Sequence, residues 1–199
     1  MQITVTETLG VEGRGPFKEK AGALRDVVQN PMMELLSLVA LEPPSSFESE
    51  SVRREKLKVW RAIPSVPILN TVRGQYGPGV IDGQRVIGYR DEERVNPESG
   101  TETYAAMKLE VENWRWAGVP FYLRAGKRMK KRATEINIQF KQPPLLIFNR
   151  MLSGGTCGEI QRNLLTIRIQ PDEGIALRFG AKVPTSRTMT VCPVNMDFD

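Results

Sequence analysis

Arg124-Ala125-Gly126-Lys127-Arg128-Met129-Lys130-Lys131-Arg132 places six cations in nine residues. Guanidinium and ammonium groups give charge-assisted hydrogen bonds to phosphate oxygens. A phosphate or nucleotide-phosphate site fits the cluster, and a solvated hairpin loop fits it equally. No aromatic residues interleave with the cations, as a platform for single-stranded nucleic acid requires, so nucleic acid is not an expected partner. Asp26 stands among apolar residues beside Arg25. An acid there accepts hydrogen bonds from sugar hydroxyls, or else faces solvent or pairs with a cation. Glu7, near the end of a strand-like run, has the same two readings. Gln170, before Pro171, says little taken singly. Trp114 and Trp116 read as packing anchors.

The exclusions are firmer. The chain has no histidine, which closes it to any imidazole base or ligand. Cys157 and Cys192 form no CxxC pair. They read as small buried hydrophobes, with no disulfide framework and no metal site expected, and a reducing cytoplasm as the expected compartment. The loose cluster Gly10-x-x-Gly13-x-Gly15 reads as a turn, and no Gly-x-Gly-x-x-Gly joins a strand to a helix. A formal net charge of +5 and a pI near 9.4 point weakly to an anionic partner. No apolar run approaches the roughly 20 residues of a membrane span, and no basic leader precedes the first strand, so neither a membrane segment nor a signal peptide is expected.

These residues need elements to hold them. Gln2 to Leu9 alternates as a strand, and helical periodicity follows from about Lys18 to Leu41. Its apolar face is Ala21, Leu24, Val27 and Val28, resuming at Met32, Leu35, Leu36 and Val39. Pro31 interrupts that face. An interior proline removes a backbone hydrogen bond and costs roughly 3 kcal/mol. The segment is therefore two helices, with Asn30 capping the second, or one kinked helix. A kink or break is expected near residues 27 to 31, with Asp26 facing the site. A second helix is expected from about Ser49 to Ile63, with Val52, Val59, Trp60 and Ile63 inward. Beyond Pro64, short strands are expected at Thr71–Tyr76, Arg85–Tyr89, Tyr104–Trp114, Val119–Leu123, Glu135–Lys141, Leu164–Gln170, Ile175–Lys182 and Thr188–Cys192. A long loop is expected from Gln142 to Glu159. Helices first and strands after predict an α+β fold, a mostly antiparallel sheet of about seven or eight strands with the helices on one face.

Several runs carry a resemblance. Gly22-Ala-Leu-Arg-Asp-Val-Val-Gln-Asn30 is similar to the Arg-Asp-x-x-Gln-Asn-His helix of glucose-6-phosphate dehydrogenases. So are Glu7-Thr-Leu-Gly-Val-Glu-Gly-Arg-Gly15, Val72-Arg-Gly-Gln-Tyr-Gly77, Glu112-Asn-Trp-Arg-Trp-Ala-Gly-Val-Pro-Phe121, Leu123-Arg-Ala-Gly-Lys127 and Val194-Asn-Met-Asp-Phe198. The similarity runs from Met1 to Asp199 in the family's order. It implies the front part of that family's C-terminal domain, truncated after Asp199 and without the N-terminal dinucleotide-binding domain.

The family oxidises glucose 6-phosphate to the lactone with NADP, in the pentose phosphate pathway. By resemblance, Glu7 and Asp26 hold sugar hydroxyls, Lys127 contacts the substrate, and Arg132 and Gln170 are further contacts. Arg124, Arg168 and, loosely, Arg178 match positions that touch a second, structural NADP in some members. Ala133, Asn137 and Ala176 stand at other positions of that set and are not basic, which argues against NADP binding by this chain alone. Pro31 occupies the position of the family's catalytic histidine, so no catalytic residue is intact and the isolated chain is expected to be inactive. The resemblance also implies association through the sheet, with a second copy or with a full-length dehydrogenase. The alternative is a non-catalytic sugar-phosphate-binding or regulatory module.

Overall fold

The computed structural model describes residues 1–142, 161–184 and 191–198. It divides into two compact units, Met1–Thr134 and Glu135–Asp199. The first unit runs β1 (Gln2–Thr6), α1 (Gly15–Ala23), a π-helical segment (Leu24–Met32), α2 (Met33–Ala40), α3 (Ser49–Arg61), β2 (Thr71–Gly74), β3 (Gly79–Ile81), β4 (Gln84–Val86), β5 (Tyr104–Glu110) and β6 (Pro120–Gly126). Strands neighbour one another in the order β1-β6-β5-β2, and β3 pairs only with β4. The second unit holds β7 (Ala133–Gln139, starting at the boundary), β8 (Leu164–Gln170), β9 (Gly174–Lys182) and β10 (Val191–Phe198), neighbours in that order. One strand, then the helices, then seven more sheet strands and a separate hairpin, with mostly antiparallel pairing, make the class α+β. The β1–β6 pair is parallel.

Alternation explains β5 and β6. Ala105 and Leu109 on β5, and Phe121, Leu123 and Ala125 on β6, are fully buried with Ile3 of β1. The helical segment packs on β1 and β6. It brings Val28, Met32, Leu36 and Ala40, four residues apart and all buried. Burial of each large apolar side chain contributes about 1.5–3 kcal/mol. Trp116 closes one end of this core, edge-on to Phe121 at 5.2 Å, its Nε1 donating to the Ala40 carbonyl at 2.9 Å.

The helix does not break where the proline stands. Leu24–Met32 winds as a π-helix straight through Pro31. The Met33 N–H donates to the Val28 carbonyl five residues back, and also to Asn30. In an α-helix the proline ring collides with the carbonyl four residues back. The wider winding removes that collision, and the exposed ring costs the core nothing. The break lies instead at Gly22, with φ 63° and ψ −174°, a region open essentially to glycine alone. Glu102 fills the gap. Its carbonyl accepts the Ala23 N–H at 2.9 Å, and its carboxylate accepts the Leu24 N–H at 3.0 Å, capping the second helical segment from a distant loop.

Other expectations need smaller corrections. The first strand ends at Thr6, not Leu9, and the expected strand through Trp114 ends at Glu110. Trp114 is fully exposed and anchors nothing, because it lies on the turn after β5. Trp60 is half exposed, with Val59 taking the inward position. The expected strand at Thr188–Cys192 falls largely outside the described residues, and β10 runs from Val191 to Phe198. The expected loop from Gln142 to Glu159 lies almost wholly outside them. Cys192 is disulfide-bonded, not a free buried thiol. Sequence separation between cysteines carries no information about their approach in space.

Candidate functional site

The parallel register of β1 and β6 builds the first half of the site. Thr6 pairs with Gly126 at the ends of the two strands. The next residues, Glu7 and Lys127, therefore leave the sheet side by side. The Glu7 N–H donates to the Gly126 carbonyl at 2.9 Å, and the Lys127 N–H to the Thr103 carbonyl at 3.1 Å. Lys127 Nζ donates to Glu7 Oε2. The lysine is 7% exposed and the Glu7 side chain 42%.

The second half comes from the helix break. Lys18 on α1 is 1% exposed. Its Nζ donates to Asp26 Oδ2 at 3.1 Å and to the Gly22 carbonyl at 3.0 Å. Eight residues on a straight helix are about 12 Å apart along the axis, near the limit of two extended side chains. The kink at Gly22 brings the pair within reach. Asp26 keeps 30% of its side chain exposed. Burial holds the Lys18 ammonium below the ordinary lysine range, Asp26 opposes that shift, and the charges of Lys127 and Glu7 act on it in opposite senses. The two pairs thus form one electrostatic cluster: two buried ammoniums beneath two part-exposed carboxylates. Such carboxylates can accept hydroxyl hydrogen bonds.

Lys18 and Glu102 escaped the sequence reading. Gly15, Lys18 and Gly22 are buried at helical spacing, so a lysine repeating with two glycines was the available signal. Nothing local marks Glu102 as a cap.

Around the cluster, Arg128 serves the framework. It contacts Glu92 at 3.2 Å and Glu12 at 3.5 Å, with its guanidinium over the Tyr76 ring at 5.8 Å. The Tyr76 hydroxyl donates to Glu92 at 2.9 Å and accepts the Val11 N–H at 3.2 Å. Tyr89 donates to Glu19. Burial, reinforced by those carboxylates, pushes both phenols above their ordinary range. This ties the glycine turn at residues 10–15 to the loop that precedes β5.

Arg132 lies exposed just before β7. Arg124 sits within β6 opposite Thr4 and Ala106, with Nε buried and without a hydrogen-bond partner. The remaining candidates belong to the second unit. Gln170 ends β8, and Arg168 on β8 reaches Asp197 at 3.4 Å. Arg178 on β9 lines a cavity of about 550 Å³ with Arg162 and Cys192.

The sequence pattern of the family "Glucose-6-phosphate dehydrogenase, C-terminal domain" matches residues 1–199. The chain belongs to this family. Among relatives of this glucose-6-phosphate dehydrogenase C-terminal domain, glucose-6-phosphate 1-dehydrogenase of Chlamydia pneumoniae is 50% identical over 201 residues, covering 100% of this chain and 38% of that protein. The Bacillus subtilis enzyme is 49% identical over 186 residues, covering 92% of this chain and 37% of its own. A solved glucose-6-phosphate dehydrogenase in complex with its substrate glucose 6-phosphate superposes with a TM-score of 0.87 at 38% identity, over 98% of this chain and 38% of that one. The structure from Mycobacterium avium gives 0.80 at 36% identity, over 98% and 39%. The chain thus spans about two fifths of the length of the relatives it matches. Among the described residues, no helix of this domain is long and apolar enough to cross a membrane.

Proposed function

We propose that this chain forms the sugar-hydroxyl side of a glucose-6-phosphate dehydrogenase site. Glu7 and Asp26 accept substrate hydroxyls and Lys127 contacts the substrate. Arg132 is a further contact, and Gln170, in the second unit, is carried as one by the resemblance alone. The observation behind this reading is the cluster itself, in which each carboxylate is pinned through one oxygen by a buried ammonium and remains part-exposed.

In the whole enzyme, oxidation at C1 sends hydride to NADP while a base takes the hydroxyl proton. This chain has no base to offer where Pro31 stands, and general-base help is typically worth 10²–10⁴-fold. The buried Nε of Arg124 suits an anion, but Ala133, Asn137 and Ala176 add no charge, so we assign no NADP site to this chain alone. The chain binds and does not turn over.

Calorimetry with glucose 6-phosphate, beside a coupled NADPH-formation assay, tests both statements. Heat in the parent, its loss in Lys127→Ala and no NADPH are the expected results. No heat in the parent removes the binding site, and clear turnover removes the claim of inactivity.

A second reading has its own observation. On the first unit, Val72 of β2 and Tyr122 of β6 are exposed beside Ile68 and Leu69. They suit association with another copy or with a full-length dehydrogenase. Light scattering with and without that enzyme decides: a strictly monomeric chain that ignores the enzyme rules association out.

A further inference from the structure

Lys18 is the most deeply buried charge in the first unit, at 1% exposure, and none of the motifs that mark the family includes it. A buried ammonium is costly unless paired and hydrogen-bonded. Lys18 meets that cost with two acceptors, Asp26 Oδ2 at 3.1 Å and the Gly22 carbonyl at 3.0 Å. The second acceptor is the peptide oxygen of the glycine at which the helix kinks. The same ammonium therefore fixes both the carboxylate and the bend that presents it. Among the described residues, Lys18 is the hydrogen-bond partner of Asp26, and it engages only Oδ2. Oδ1 is left to accept from a ligand.

We propose that Lys18 is a positioning residue of this site: from beneath Asp26 it clamps Oδ2 and the Gly22 carbonyl, so that Oδ1 is held ready for a sugar hydroxyl. The role rests on the sugar-phosphate reading above. Its partner across the cluster is Lys127, which clamps Glu7 Oε2 in the same manner. The site then recognises the hydroxyl-bearing part of a sugar phosphate through two carboxylates of fixed orientation, each needing its own buried cation. Ordering an acceptor before binding removes that part of the entropic cost of binding.

The test is calorimetry with glucose 6-phosphate on the full chain, for the parent, Lys18→Met, Lys18→Gln, Asp26→Asn and the Lys18→Met/Asp26→Asn double variant, with a melting curve for each. Lys18→Met is expected to weaken binding about tenfold or more. Lys18→Gln, uncharged but still a donor, should lose less and keep the fold if the methionine variant does not. The double variant should bind no more weakly than Asp26→Asn alone, since the lysine acts only through the aspartate. A lowered melting temperature with unchanged affinity in both single lysine variants overturns the positioning role and leaves the binding site standing. Additive losses in the double variant overturn it too, because Lys18 would then act independently of Asp26. No heat in the parent overturns the sugar-phosphate reading, and the positioning role with it.

Discussion

Two carboxylate–ammonium pairs make up the candidate site, and the chain builds them by opposite means. Glu7 and Lys127 are 120 residues apart and meet because two neighbouring parallel strands end in register. Backbone hydrogen bonds on both sides hold their Cα positions, so no single side chain decides the geometry. Lys18 and Asp26 are eight residues apart and meet because the helix kinks at one glycine. That corner depends on a conformation only glycine adopts and on one remote cap, Glu102. The pairs also differ in reserve. Lys127 Nζ has Glu7, whereas Lys18 Nζ has Asp26 and a backbone carbonyl besides. A register-built pair tolerates local change but needs its acid. A bend-built pair tolerates loss of its acid but not of its bend.

The sharpest way to break the comparison is Gly22→Ala. A side chain at φ 63° and ψ −174° costs about 1–3 kcal/mol. Its Cβ would also run into the Glu102 carboxylate and displace the cap, about 1 kcal/mol more. The melting temperature should fall by on the order of 10 °C, and binding of glucose 6-phosphate should be lost with it. Gly13→Ala is the control. Gly13 also has positive φ, but nothing stands near its missing Cβ, so it should show the backbone strain without the lost cap.

Removing the acids separates the two corners next. Glu7→Ala leaves Lys127 buried without a side-chain acceptor, and stripping one partner from a buried pair costs about 3 kcal/mol or more. Asp26→Ala leaves Lys18 equally buried, yet still bonded to the Gly22 carbonyl, so the loss should be nearer 2 kcal/mol. Denaturant unfolding of the two variants checks the order. Equal losses would mean that the Gly22 carbonyl gives Lys18 no reserve. A smaller effect is expected from Glu102→Ala, about 1 kcal/mol for the lost cap on the Leu24 N–H. Fraying of residues 24–26, seen as faster amide exchange there but not at Glu7, should accompany it.

How much of this was legible depends on how locally each feature is specified. β8 was read at its observed bounds, Leu164–Gln170, because apolar and polar residues alternate there without interruption. α3 starts at the expected Ser49. Glu7, Asp26 and Lys127 were picked out by resemblance, and the structure brings them into one cluster without showing what they bind. The sequence points to a break at Pro31 because a proline penalty is visible in it, and the structure puts the break at Gly22 instead. The reason for the bend at Gly22, Glu102, sits 78 residues from the N–H it caps. Lys18 was passed over because a lysine on a helix belongs to solvent unless something buried calls for it. Trp114 failed in the other direction: its type suggests a core, but a turn carries it into water.

The smallest expected effect is the pH dependence of the bend-built corner. Burial holds Lys18 below the ordinary lysine range, against the pull of Asp26. Between that lowered value and the unfolded value of about 10.4, the unfolded chain binds the proton that the folded chain has released. Stability therefore rises with pH across this window, and the contribution is lost as pH falls through the folded value. Lys127, Glu7 and Asp26 are the charges acting on Lys18 there. Lys18→Met should flatten the rise in melting temperature in the window just below the unfolded lysine value of about 10.4, whereas Lys127→Met, which removes one of the charges that lower Lys18, should shrink the rise without abolishing it. Above about pH 10 the sign reverses, because Tyr76 and Tyr89 are held protonated in the fold while the unfolded chain loses their protons. Tyr76→Phe should soften that alkaline loss without touching the slope below it. A rise that survives Lys18→Met intact would remove the lysine as its source.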